Sequence, residues 1–316
     1  MSKKGVLLVN LGSPKSPSTK DVRSYLKEFL GDPNVITMPR WLWNPILYGI
    51  ILPFRSWRSA TFYKNEWTAK GSPLVAFTEI LAQQVQKELP DYQVEISMTY
   101  GSHHIIPTLQ AMQKAGCEKV AVIPLFPNYT ASTNATIEQQ ANDSGVLITI
   151  INNFYKEPLS SQIAADQIMK KWDAKKYDML LLSYHGIPQA RVDHGDPYYK
   201  ECLETSKLIE QHLTTIPENQ RQTVFQSKFG PAPWLKPYLR DRLNELANLG
   251  KRKILLATPS FVVDSLETIE EDNVQNYQTF RSQGGEVLDM VPPVNNDPRF
   301  SKMLANLAKK NLETKG

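Results

Sequence analysis

Apolar positions along the chain gather into short, nearly uninterrupted runs, separated by longer stretches in which they recur at helical spacing. The runs at 5–10, 94–100, 119–124 and 146–151 read as strands in the first half, and those at 177–182, 223–227, 253–259 and 286–290 as strands in the second. Between them, groupings such as Val22, Tyr25, Leu26 and Phe29 predict helices, with others near 73–89, 105–115, 158–172, 197–213, 235–249, 264–280 and 300–312. A strand that is apolar throughout is covered on both faces, and strands alternating with helices at this spacing require right-handed parallel crossovers. The expected fold class is therefore α/β. Four strands fall in each half, so two domains are expected, 1–157 and 158–316, each a four-stranded parallel sheet flanked by helices. The last helix can pack back onto the first domain, and a cleft between the two is the expected ligand site.

The run at 177–182 stops abruptly in Ser183, Tyr184, His185, Gly186 and Pro188, residues that cannot prolong a buried strand. Ligands gather at the carboxyl ends of parallel strands, which is where His185 stands. An imidazole there is a proton acceptor, a metal ligand, or a loop residue bonded to backbone. Further on, Asp264, Glu267 and Glu271 are spaced to share one face of an α-helix, with Glu270 and Asp272 beside them. Like charges so placed repel. The helix dipole compensates for Asp264 at the N-terminus and less for Glu267 and Glu271, so a column that takes protons or passes a divalent cation is a reasonable alternative to a solvated face.

The segment 40–58 is different. It holds Trp41, Trp43, Tyr48, Phe54 and Trp57 among aliphatic residues, yet Pro45, Gly49 and Pro53 forbid one regular helix. Arg40, Arg55 and Arg58 rim it with positive charge. It reads either as a lip over a flat apolar ligand or a surface entering lipid, or as a hydrophobic hairpin buried in its own domain.

Composition narrows the choice. The chain has 316 residues and a formal charge of +4, too small a surplus for a protein whose main partner is nucleic acid. The loop after the first strand has only Gly12, so a dinucleotide fingerprint is missing. Two cysteines, Cys117 and Cys202, make neither a disulfide framework nor a zinc or iron–sulfur site, and a reducing cytoplasm fits them. No apolar stretch is long enough to span a bilayer.

Six motifs then occur in order over nearly the whole chain: NLGSP at 10–14, GSPL at 71–74, LLLSYHGIP at 180–188, GDPY at 195–198, FQSKFGPAPWL at 225–235 and SLETIEE at 265–271. Together they resemble the ferrochelatases, which insert ferrous iron into a porphyrin. The resemblance implies two Rossmann-like domains with the porphyrin held between them. It also implies that His185 and Glu267 are the catalytic pair that meets the iron, that Asp264 and Glu271 belong to an acidic relay, and that Phe261 is the aromatic at the pocket floor. Leu11 then faces the macrocycle, Arg55, Tyr63 and Ser72 become propionate or lip contacts, and Tyr129 and Trp234 complete the porphyrin-binding candidates. The implied reaction is protoporphyrin IX to protohaem with release of two protons. Coproporphyrin or another tetrapyrrole is the alternative substrate, and a haem-binding carrier the alternative class. No cofactor is expected, because the C-terminal tail lacks the cysteines with which some relatives hold an iron–sulfur cluster. Thr99 replaces an arginine that some relatives have. The expected location is the cytoplasm, with the 40–58 segment able to rest on the inner face of the membrane.

Overall fold

The computed structural model describes residues 3–313, apart from the side chains of 270–274. It divides into two compact units. The first comprises the described residues up to Phe126, Thr130–Asn153 and those from Asn296 onward, and the second Pro127–Tyr129 with Phe154–Asn295.

In the first unit β1 (Lys3–Gly12) leads through α1 (Thr19–Gly31), α2 (Arg40–Ile46), α3 (Leu52–Glu66) and α4 (Pro73–Glu88) to β2 (Tyr92–Tyr100). Then α5 (Ile105–Lys114), β3 (Cys117–Pro124), α6 (Ala131–Asp143) and β4 (Ile148–Ile150) complete its sheet. All pairings are parallel, in the order β2-β1-β3-β4. Val6 to Val9 of β1 are fully buried because the strand is central and covered on both faces. Leu7 and Val9 pack with Ile105, Leu109 and Met112 of α5 and Ile137 and Ala141 of α6. Beyond the end of α1, Asp32 accepts hydrogen bonds from the Tyr100 hydroxyl at 2.7 Å, the Thr136 hydroxyl at 2.6 Å and the Asn34 N–H at 2.7 Å. Burial, and then that bond to the carboxylate, raise the Tyr100 hydroxyl pKa far above its ordinary value.

The 40–58 segment is a helical run rather than a buried hairpin. α2 passes through a π-helical turn, Leu47–Ile51, into α3. Besides Ser59, its buried residues are Trp43, Leu47, Leu52, Ser56, Ala60 and Tyr63, a stripe with steps of three and four except for one step of five between Leu47 and Leu52. The wider turn supplies that step, and it also loosens the helix just where Pro53 has no N–H to donate. Trp43 anchors the run by donating its indole N–H to Leu30 O at 2.7 Å. The opposite face is open to solvent, with Trp41 76%, Phe54 74% and Trp57 70% exposed. Among the described residues no helix is long and apolar enough to cross a membrane.

The second unit runs through α7 (Pro158–Ala174), β5 (Met179–His185), α8 (Gln189–Asp193), α9 (Tyr198–Glu210), β6 (Arg221–Gln226), α10 (Leu239–Asn248), β7 (Lys253–Ala257), α11 (Tyr277–Ser282) and β8 (Val287–Met290). Its sheet is also parallel, in the order β6-β5-β7-β8. Leu180, Leu182 and Tyr184 point to the face covered by α7 and α9, and Met179 and Leu181 to the face covered by α10, which explains the unbroken apolar run.

Several elements differ from expectation. The strand expected to stop after 182 runs on, buried, through Ser183 and Tyr184 to His185, because the two hydroxyls are satisfied by Gln226 and Ser206. The helix expected from 235 begins at Leu239, since Lys236 precedes Pro237 and is thereby biased away from helical backbone angles. β4 is three residues long, and α8 is too short for its periodicity to register. The closing helix, α12 (Pro298–Glu313), packs on α4 and β3 of the first unit.

Gly101 follows β2 at φ +90°, where an added Cβ would lie 2.2 Å from the Ser13 carbonyl oxygen. Gly116 has φ +93° with open space around it. In urea unfolding, Gly116→Ala is expected to cost about 1–2 kcal/mol, the left-handed strain alone. Gly101→Ala is expected to cost at least about 3 kcal/mol because backbone must also move.

Candidate active site

β5 delivers His185 as its last residue, half-buried. Its Nδ1 lies 2.7 Å from the Gly186 carbonyl oxygen. A carbonyl only accepts, so Nδ1 carries the proton and Nε2 keeps the lone pair, the form that takes up a proton or a metal ion. The following residues make a short ribbon with the loop after β6: Leu235 N–H donates to Ile187 O at 3.1 Å, and Gln189 N–H to Pro233 O at 2.9 Å. The ribbon sets Trp234 beside His185, with ring centroids 6.4 Å apart and planes inclined by 48°. A Cβ on Gly186 would sit 2.7 Å from Gln226 O and 3.2 Å from Trp234 Cε3, so only glycine permits this approach.

Beyond β7, Phe261 N–H closes a turn on Thr258 O at 3.0 Å and leaves the ring half-buried. The acids then divide into two kinds. Asp264 has both oxygens engaged, by the Thr268 hydroxyl at 2.9 Å and by Asn295 Nδ2 at 2.8 Å, and its own N–H donates to Asn295 Oδ1 at 2.8 Å. It braces the start of the helix. Glu267 has one oxygen held by the Ser265 hydroxyl at 2.8 Å, while among the described residues Oε1 has no hydrogen-bond partner. The α-helical row of three acids is corrected accordingly. Asp264 precedes the helix, and Glu267–Asn276 is a π-helix, in which positions four and five apart share a face. The side chain of Glu271 lies outside the described residues. Among those described, no group of three or more His, Cys, Asp or Glu residues is gathered to hold a metal ion.

His185, Trp234, Phe261 and Glu267 therefore follow the carboxyl ends of β5, β6 and β7, three neighbouring strands. Tyr129, in the same unit, donates its backbone N–H to Glu201 Oε2 at 2.7 Å. Sequence reasoning missed the supports: Ser265 on Glu267, Asn295 on Asp264 and the space that Gly186 leaves. Ser265 was within reach as a hydroxyl two residues from the acid, whereas Asn295 arrives from far along the chain without a local signal.

The candidates in the first unit are placed differently. Leu11, half-buried near the end of β1, has its N–H bonded to Asn10 Oδ1 at 2.8 Å. Ser72 is buried at the start of α4, and Arg55 is exposed on α3. Tyr63 is 9% exposed and packs edge-on against Tyr25 and Trp67, both at 6.4 Å between centroids, so its ring serves the core. Thr99 is buried and donates to Asn10 O at 3.3 Å.

Known proteins share both the fold and the sequence. SirB from Bacillus subtilis with Fe3+ superposes with a TM-score of 0.56 at 12% identity, covering 99% of this chain and 97% of that one. CbiX, the terminal enzyme of sirohaem biosynthesis in denitrifying bacteria, superposes at 0.53 with 14% identity, over 97% and 99%. At such identities the likeness is one of fold alone. Sequence relatives are far nearer. The coproporphyrin III ferrochelatase of Lacticaseibacillus casei is 56% identical over 307 residues, 97% of this chain and 96% of that protein. Those of Lactiplantibacillus plantarum and Limosilactobacillus reuteri are 54% identical over 96% of this chain and 94% of theirs, and 52% over 98% and 99%. With the Ferrochelatase family model also matching residues 3–312, the chain belongs to the ferrochelatase family, enzymes that insert iron into porphyrins.

Proposed function

We propose that this protein inserts ferrous iron into coproporphyrin III, with His185 and Glu267 as the reacting side chains. The observation that carries the choice of porphyrin is the run of relatives at 52–56% identity that bear that activity in their names. Protoporphyrin IX, the substrate first expected, stands behind it, and the haem-carrier alternative falls with membership of an enzyme family.

Metallation removes two pyrrole protons while the cation exchanges water for four ring nitrogens. His185 Nε2 has a lone pair for one proton or for the passing iron, and Glu267 Oε1 is open for the other role. Ser265 keeps Glu267 oriented, and Asp264 stabilises the helix start on which Glu267 stands. Trp234 and Phe261 offer flat apolar contact beside the pair, the kind of surface a macrocycle covers. No resident cofactor takes part in this scheme. Cys117 and Cys202 are both buried, each in the apolar core of a different unit, and burial raises the pKa of each thiol.

The exposed face of the 40–66 helical run supports a second contact, with a membrane bearing anionic lipid. Trp41, Phe54 and Trp57 are the insertion residues, and Lys27, 5.7 Å from the centre of the Tyr48 ring, adds positive charge beside them.

Three outcomes are expected. Under anaerobic conditions, kcat/KM for ferrous insertion into coproporphyrin III should exceed that for protoporphyrin IX by about tenfold or more, one tenfold step being 1.4 kcal/mol of transition-state discrimination. Equal or reversed values would return the assignment to protoporphyrin IX. His185→Ala and Glu267→Gln should each lower kcat by about 100-fold, the usual scale for a lost acid–base group. Parent turnover in both variants would remove the pair from the reaction. Finally, the protein should sediment with phosphatidylglycerol vesicles, and Trp41→Ser with Trp57→Ser should abolish this. Parent protein that stays in the supernatant would exclude the membrane contact.

A further inference from the structure

Tyr238 has no part in the reaction proposed above, yet its hydroxyl is aimed at the site's framework. It precedes α10 and lies in a parallel bridge with Phe225, whose N–H donates to Pro237 O at 2.8 Å. From there the hydroxyl reaches back across the loop to the backbone of a single residue. Trp234 N–H donates to it at 3.2 Å, and it donates to Trp234 O at 3.3 Å. The ribbon with the segment after β5 already uses the backbone groups of Pro233 and Leu235, so Tyr238 takes the two groups of Trp234 that face the other way. Lys228 and Lys236 hold their ammonium groups 4.6 Å and 5.7 Å from the centroid of its ring and fix the ring in turn.

This loop needs such a clip. Residues 228–233 are exposed, Ser227 has φ +63° and Gly230 φ +74°, and Pro231, Pro233 and Pro237 reduce the backbone donors that could tie it down. The indole it carries is the neighbour of His185. We propose that Tyr238 is a positioning residue: by clasping the backbone N–H and C=O of Trp234 it keeps the indole against the His185 ring, so that Nδ1 stays bonded to Gly186 and Nε2 is the nitrogen presented to substrate. This rests on the reading of His185 as a reacting group. The geometry of a catalytic imidazole is sensitive to such support, since a misplacement of about 1 Å costs up to about 100-fold in rate.

The test is Tyr238→Phe, which keeps the ring and its two lysines and removes only the hydroxyl. The variant is expected to unfold within a few degrees of the parent and to keep the porphyrin KM within about twofold, while kcat falls about tenfold. In the same two proteins without substrate, nitrogen-15 spectra of the histidine rings, with His185 assigned through His185→Gln, should show the Nδ1–H tautomer in the parent and a tautomer mixture in the variant. A merely structural role would lower the unfolding midpoint and leave the tautomer alone. Parent-like kcat, or an unmixed Nδ1–H tautomer in the variant, overturns the proposal. Should the parent itself insert no iron, the assigned reaction fails, and the spectra still decide whether the clip exists.

Discussion

β5 pairs with β6 on one side and β7 on the other, and this parallel triplet governs where the chemistry of the second unit can stand. Strands that run the same way end at the same edge, so the loops that follow them must meet there. The triplet is held by burial on both faces: Leu180, Leu181 and Leu182 are all fully buried, and each contributes about 1.5–3 kcal/mol relative to exposure. Near the end, Ser183 donates to Gln226 Oε1 at 2.5 Å and ties β5 to its neighbour two residues before the strand's last position. His185 is thus the first position where a polar ring can stand without a buried cost.

In both units a π-helical stretch reconciles a sequence with its surroundings. In the first, the single five-residue step from Leu47 to Leu52 lets one apolar stripe stay buried on either side of two prolines. The rest of the aromatic residues are thereby turned to solvent. In the second, Glu267–Asn276 carries the acids in a wider helix than the common one, and such stretches are rare and concentrate at functional sites. The cost is accepted where placement of side chains matters more than the best backbone geometry.

The acids after β7 show how neighbouring carboxylates take different tasks. Asp264 is saturated by Thr268 and Asn295 and holds the chain in place, while Glu267 is bonded at one oxygen and keeps the other open. Charge alone does not distinguish them; their hydrogen-bond partners do.

Much of this was present in the order of residues. The eight strands and their parallel class followed from the apolar runs, because a strand covered on both faces leaves no other trace, and His185 stood out because its run stopped so abruptly. The motifs of the ferrochelatases were legible for the same reason that they are motifs: their residues sit together in the chain. What only the tertiary structure decided were relations between distant segments and the pitch of helices. Asn295 on Asp264 and Trp234 beside His185 depend on which loops meet at a sheet edge, and the burial of Tyr63 and the π-turns depend on what each helix must pack against. Periodicity records that a helix has an apolar side, but the wall it leans on determines how tightly it winds.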